Sequence, residues 1–269
     1  MALASLPALD LGKTKPLGAE LYTVRAETRE DLPYVLDSIR AIGYEEVETD
    51  TSLYSRPAAE LKQAISDSGL KAPSAQFDYE DLPAKLDYAA ELGVKYAVCA
   101  ILPESLRTSL DGFKRAAAAL NAAGRQAKSR GMRLGYHNHN FEFRRFGGAT
   151  GYDVLTSETD PSLVCLEMDC YWVVEAGRSP LELFESLGER IELLHLKDRK
   201  GGSAPSTELN DAAKHFAPVG MGTLDWGAIL RAARASGVKH MYVEQDSGDL
   251  PPLQELKISY RYLRPLLLE

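Results

Sequence analysis

Four short runs in the second half of this 269-residue chain open as apolar, β-prone segments and stop at metal-binding residue types. They are GYHNHNFEF (135–143), LEMDCYW (166–172), LLHLKD (193–198) and MYVEQD (241–246). Imidazoles and carboxylates are costly to cluster unless a cation or a reaction uses them. Strand side chains alternate between two faces. One face therefore carries His137 with His139, Glu167 with Asp169, His195 with Lys197, and Glu244 with Asp246. Neighbouring strands would then collect His137, His139, Asp169, His195 and Glu244 at one rim, with Glu142 just beyond the first run. Imidazoles and carboxylates without a thiolate suit one divalent cation: Mn2+, Mg2+, Co2+ or Zn2+.

Each residue has a plainer alternative. His195 can be a hydrogen-bonded core histidine, Asp169 a helix or turn cap, Glu244 a member of a surface ion pair. Four such groups at adjacent strand ends weigh against that reading of the set. Parity places Glu167 inside, below Asp169, as a partner for a ligand or for Lys197. Trp172 is either an apolar wall for a sugar face or a packing residue. In VGMGTLDW (219–226), Gly220 and Gly222 let the backbone approach a ligand closely, or simply form a tight loop before a capped helix. Tyr22, Arg25, Asp50 and Gln76 fall near predicted strand ends, and nothing in their context distinguishes them.

Strand-like segments at 19–23, 44–49, 71–77, 95–100, 132–139, 163–169, 191–196 and 240–245 alternate with helical ones. The helices are expected at 31–42, 58–68, 82–92, 111–130, 151–158, 179–187, 226–236 and 253–268. Pro73 weakens the third strand. Residues 198–207 read as a loop near the active face. Regular βα alternation means parallel strands with helical crossovers. Eight units in this length predict an α/β fold, a single (β/α)8 TIM barrel over 17–269, preceded by a leader at 1–16. In such barrels the C-terminal ends of the strands carry the active site. No GxGxxG follows the first strand, so a dinucleotide fold has no support.

The net charge is −8, from 39 acidic and 31 basic residues, and no Lys/Arg run forms a basic patch, which argues against a nucleic-acid partner. Cys99, Cys165 and Cys170 are odd in number and contain no CxxC pair, so free buried thiols are expected. The start, MALASLPALDLGKTKP, has no basic n-region or long apolar h-region. No segment approaches the roughly 20 apolar residues of a membrane span. A cytoplasmic protein is expected, or a periplasmic one if a signal was trimmed.

The motifs YHNHNFEF, LEMDCYW, HLKD, VGMGTLDW and YVEQD resemble those of the xylose isomerase-like TIM-barrel family of sugar isomerases and epimerases, from about Leu17 to the C-terminus. The resemblance is specific in the second half and weak in the first. It implies one divalent cation held by a Glu, Asp, His, Glu set at the ends of strands five to eight. Asp169, His195 and Glu244 match that set. Many relatives place a Glu where this chain has His137. Because a hard cation prefers oxygen, Glu142 is taken as the first ligand, with His137 as the alternative.

The resemblance further implies a small sugar or keto-sugar substrate contacted by His137, Trp172, Lys197 and Gly222. Lys197 would orient a substrate oxygen or stabilise an enolate. The expected activity is isomerisation or epimerisation, by proton abstraction next to a carbonyl through a metal-stabilised enediolate, with Glu142 and Glu244 as acid/base pair and manganese among the candidate ions. The runner-up is a lyase with His139 as acid/base, resembling inosose dehydratase or an enzyme that eliminates a group from a 3-keto-glycoside. A non-catalytic sugar-binding barrel is the third reading. The DNA-repair endonuclease relatives need more metal ligands and a positive groove than five histidines and a charge of −8 supply. Barrels of this kind often pair, so a homo-oligomer is an expectation by analogy.

Overall fold

Residues 15–209 and 215–268 are described in the computed structural model. Its eight main strands are β1 (Leu17–Glu20), β2 (Glu46–Thr49), β3 (Lys71–Phe77), β4 (Tyr96–Cys99), β5 (Arg133–His137), β6 (Val164–Asp169), β7 (Ile191–Leu196) and β8 (His240–Val243). They close into a parallel barrel in the order β1-β8-β7-β6-β5-β4-β3-β2, the (β/α)8 architecture that the alternation predicts. Of the leader expected at 1–16, residues 1–14 lie outside the described residues.

Helices Leu32–Ile42, Ala58–Asp67, Leu82–Leu92, Leu110–Ser129, Gly151–Glu158, Pro180–Leu187, Trp226–Ala235 and Pro252–Leu266 wrap the barrel. Asp31, Ser109, Thr150 and Asp225 start four of them by accepting from first-turn amides, which would otherwise lack partners. The buried faces of the helices join outward strand residues such as Val47, Ala97, Leu134, Leu166 and Leu194 in one continuous core. Among the described residues, no helix is long and apolar enough to cross a membrane.

The barrel interior is filled by side chains. A small apolar layer of Tyr96, Val98, Cys165, Leu193 and Tyr242 lies within it. Gly18 makes room for one of these rings, because a Cβ there would stand 2.4 Å from Tyr242 Cδ1.

Several boundaries differ from expectation for local reasons. β1 stops at Glu20 because that carboxylate accepts from Tyr22 N and turns Leu21–Val24 into a 3-10 helix. β5 stops at His137, and a 3-10 turn follows at Phe141–Phe143. Pro73 is accommodated where the register between β2 and β3 shifts, a bulge that spares it a ladder hydrogen bond. The loop expected at 198–207 instead begins with Asp198–Arg199 paired antiparallel to Phe216–Ala217.

Candidate active site

The site starts with a polar floor inside the barrel. Glu48 (β2), Gln76 (β3), Glu167 (β6) and His195 (β7) all point inward and are buried. His195 Nε2 lies 2.7 Å from Glu48 Oε2. The Gln76 amide donates to Glu48 Oε2 at 3.1 Å and to Glu167 Oε2 at 3.0 Å, and Ser74 Oγ donates to Glu48 Oε1. Burial and the neighbouring Glu48 charge push the Glu167 carboxyl well above the usual carboxylate range. Glu48, Glu167 and His195 are close enough to resemble a metal cage, but the Gln76 amide already supplies donors to both carboxylates.

Above the floor, His137 (β5), Asp169 (β6), His195 (β7) and Glu244, just past β8, bring one donor atom each within 4.8 Å of one another. His195 Nδ1 is 2.7 Å from Glu244 Oε2 and 3.9 Å from Asp169 Oδ2. His137 Nε2 is 3.5 Å from Asp169 Oδ2. His137 Nδ1 faces the Ala100 carbonyl at 3.2 Å. A carbonyl only accepts, so Nδ1 carries the hydrogen and Nε2 presents a lone pair. His137 Nε2 and Asp169 Oδ2 are buried without a hydrogen-bond partner. Two carboxylates and two imidazoles directed at one place, with one atom of each kind making no hydrogen bond, fit a divalent cation.

Asp169 does two jobs. Its Oδ1 accepts from Trp172 N at 3.1 Å and caps helix Cys170–Glu175, while Oδ2 faces the cluster. The cap alternative and the ligand reading therefore describe different oxygens of one side chain.

Lys197 reaches the same place from β7. Its Nζ lies 2.8 Å from Glu244 Oε2, 3.3 Å from Asp169 Oδ2 and 2.7 Å from Asp246 Oδ1. Burial disfavours its charge, but the three carboxylates outweigh burial and hold its pKa well above the usual value. Burial opposes ionisation of Glu244 as well, yet Lys197 and His195 hold its pKa well below the usual carboxylate range. Asp246 is pushed up to about 8 by burial and by the Glu244 charge.

His139 has left the strand but stays over the mouth. Its ring centroid is 4.9 Å from His137 and 5.1 Å from Trp172, and it stacks on Phe141 at 5.6 Å. Its Nδ1 is buried and unpartnered. Burial, then His137 and Lys197, hold its pKa well below the ordinary imidazole value. Trp172 neighbours both this ring and Lys197, whose Nζ is 5.5 Å from the indole centroid.

Two expectations need correction. Glu142 does not join the cluster. Its Oε1 accepts from the Tyr136 hydroxyl at 2.6 Å and its Oε2 from His139 N at 3.0 Å. The chain turns tightly at Phe141–Phe143, and the imidazole of His137 stands at the end of β5 in place of that carboxylate. Gly222 is also spoken for. A Cβ there would fall 2.1 Å from Asp198 Oδ1, so the close approach serves Asp198 rather than a ligand. Asp198 accepts from the amides of Arg199, Gly220, Gly222 and Leu224 and from Trp226 Nε1, which pins the loop after β7.

Sequence reasoning missed Glu20 and Glu48 and left Asp50 and Gln76 undistinguished. A signal for Glu48 was present: Glu46, Glu48 and Asp50 recur with period two across β2, which places three acids on the inward face of a barrel strand.

A closed (β/α)8 barrel with a metal-fitting cluster at the C-terminal strand ends defines a class, and the comparisons with known proteins agree. The sequence model of the xylose isomerase-like TIM barrel matches residues 36–266, and the chain belongs to that family. It is similar to inosose dehydratase from Lacticaseibacillus casei, with 26% identity over 265 residues that cover 85% of this chain and 87% of the relative. Among solved structures it is similar to a sugar phosphate isomerase/epimerase from Parabacteroides distasonis, with 25% identity, a TM-score of 0.81, and coverage of 94% of this chain and 99% of the other. The zinc-bound IOLI protein shares the fold, with 17% identity, a TM-score of 0.71, and coverage of 94% and 98%.

Proposed function

We propose that this chain is a divalent-cation-dependent enzyme that removes the proton beside the carbonyl of a keto-sugar or keto-polyol and expels the β-hydroxyl as water. The observation that carries this reading is the buried, unpartnered His139 Nδ1 beside the four-donor cluster. The carboxylate that a two-glutamate epimerase would need is meanwhile tied to Tyr136. The inosose dehydratases, which align along most of the chain, support the same choice.

His137, Asp169, His195 and Glu244 would hold the cation. Two imidazoles among four donors favour zinc, manganese or cobalt over magnesium. Bound there, the ion supplies Lewis acidity, which polarises the carbonyl and acidifies the adjacent C–H. The protein does the rest. Burial first, then His137 and Lys197, disfavour the charged form of His139, and its unpartnered Nδ1 accepts the α proton. Lys197 stays cationic and donates to oxygen as negative charge builds there. The C–H electron pair becomes the new C=C bond and the β C–O bond breaks. The proton that His139 removed leaves with the expelled hydroxyl as water. Trp172 offers an apolar face to the C–H side of the ring.

Isomerisation or epimerisation shares the first step and returns the proton to carbon. The name of the Parabacteroides structure supports this second reading. The test is to incubate cation-loaded protein with 2-keto-myo-inositol and a set of keto-sugars in D2O. Dehydration produces a conjugated carbonyl with rising ultraviolet absorbance, and His139→Asn abolishes it while cation content stays. Deuterium uptake without new absorbance would favour the second reading. Neither signal with any substrate would defeat both.

A further inference from the structure

We propose that Glu142 is the positioning residue for His139: its buried carboxylate clamps the His139 backbone, and the gain or loss of one proton slackens or tightens that clamp. This inference rests on the functional reading above, in which His139 takes the proton from carbon, and adds the regulation of that step.

His139 lies past the end of β5, where no strand ladder fixes its backbone. Among the described residues its amide donates to one acceptor, Glu142 Oε2, at 3.0 Å. The same carboxylate is held at its other oxygen by the Tyr136 hydroxyl, which donates to Oε1 at 2.6 Å. Tyr136 is buried in the core and stands on the last turn of β5's pleat before His137. The run therefore closes on itself: the turn Phe141–Phe143 brings Glu142 back to bridge Tyr136 and His139. That turn also carries Phe141, which stacks on the His139 ring at 5.6 Å and lies under the Arg107 guanidinium at 4.2 Å. The carboxylate thus sets the backbone of the base, and the turn it belongs to sets one face of the ring.

Burial raises the Glu142 carboxyl to about 7, against the pull of its hydrogen bonds and of Arg107, so it exchanges its proton near neutrality. The groups that face it do not. Tyr136 on β5, Tyr152 in the helix Gly151–Glu158 and Cys99 at the end of β4 are all pushed up by burial and stay neutral there, while Arg107 keeps its charge. Ionised Glu142 accepts at both oxygens. Neutral Glu142 turns an Oε1–H toward the Tyr136 oxygen and leaves an uncharged acceptor for the His139 amide. A hydrogen bond to an ionised acceptor is roughly twice as strong as one to a neutral acceptor. Ionisation therefore tightens the grip on the segment that carries the base, and a misplacement on the order of 1 Å can cost on the order of a hundredfold in rate.

The test compares the full, cation-loaded chain with Glu142→Gln, which has the shape and hydrogen-bond pattern of the neutral form. Turnover of 2-keto-myo-inositol and the keto-sugars is followed from about pH 5.5 to about pH 9. The ratio of wild-type to variant kcat should climb with a midpoint at pH about 7. On the alkaline side it should reach about two- to thirtyfold, with KM and cation affinity each within about twofold. Groups that titrate elsewhere, Asp246 included, are common to both proteins and cancel in the ratio. Tyr136→Phe removes a donor that favours the ionised carboxylate, so it should carry that midpoint upward by about one pH unit or more; a glutamate that only filled space would not move it. The NMR shift of the His139 amide in the cation-free chain is a readout independent of turnover. It should show the same midpoint in wild type and lose it in Glu142→Gln. A kcat ratio that ignores pH, a loss confined to KM, or a His139 amide blind to Glu142 would overturn the clamp while leaving the proposed chemistry intact. Absence of turnover with every compound would remove the functional reading, and the amide titration would then decide for or against the clamp by itself.

Discussion

Glu48→Gln is the sharpest probe of how the cluster is organised. Glu48 is buried, and its Oε2 accepts from His195 Nε2 at 2.7 Å. That hydrogen bond leaves Nδ1 free to face Asp169 and Glu244, the carboxylate–histidine arrangement that orients metal ligands. Glutamine keeps the shape and an acceptor oxygen but removes the charge. A hydrogen bond to a charged group contributes about 1.5–3 kcal/mol and a neutral one about 1 kcal/mol. The loss is therefore about 0.5–2 kcal/mol, or roughly two- to thirtyfold in cation affinity. Competition with a chromogenic chelator measures this directly, using Zn2+ and then Co2+, whose absorption bands also report coordination. The metal-free Tm controls for folding, because Ser74 Oγ, which donates to Glu48 Oε1, can turn to accept from the glutamine amide. Unchanged affinity for both ions, with unchanged cobalt bands, would show that Glu48 does not act through His195.

Three further outcomes follow from the geometry. His137→Ala should lower cation affinity by about tenfold or more, the loss of one direct ligand, whereas Glu142→Gln should leave it nearly intact; chelator competition on both variants separates the two candidates for the β5 ligand. Gly222→Ala should destabilise the fold by on the order of 3 kcal/mol in urea unfolding, because its Cβ meets an Asp198 carboxylate that five donors prevent from moving. Burial raises the Glu142 carboxyl to about 7 from 4.5, so its contribution to stability is fully present below pH about 4.5 and is lost as pH rises to about 7, by about 3 kcal/mol at most. The stability difference between wild type and Glu142→Gln should change across that window, and a flat difference would contradict the buried placement.

The barrel was legible because apolar runs and glycine stops repeat with one rhythm through the whole chain. The strand ends of the second half were legible for the same reason: period two put Asp169, His195 and Lys197 on one face, and the structure keeps them there. Glu142 was misjudged because five residues past a strand end the alternation no longer applies. A 3-10 turn and the Tyr136 hydroxyl decide its direction instead. Gly222 was read as room for a ligand because a sequence does not show which atom claims the space. The floor was harder still. Gln76 gains meaning only when β3 is known to stand across the barrel from β6, since it bridges Glu48 and Glu167 from opposite walls.

The divided carboxylate of Asp169 ties events in the mouth to the backbone beside it. One oxygen starts the helix Cys170–Glu175, whose first turn carries Trp172, and the other points at the four-donor cluster that could hold a cation. Loading the ion should therefore stiffen that turn and slow amide exchange at Trp172, fixing the indole before any substrate arrives. Stripping the ion should loosen the aromatic wall even though none of its rings touches metal.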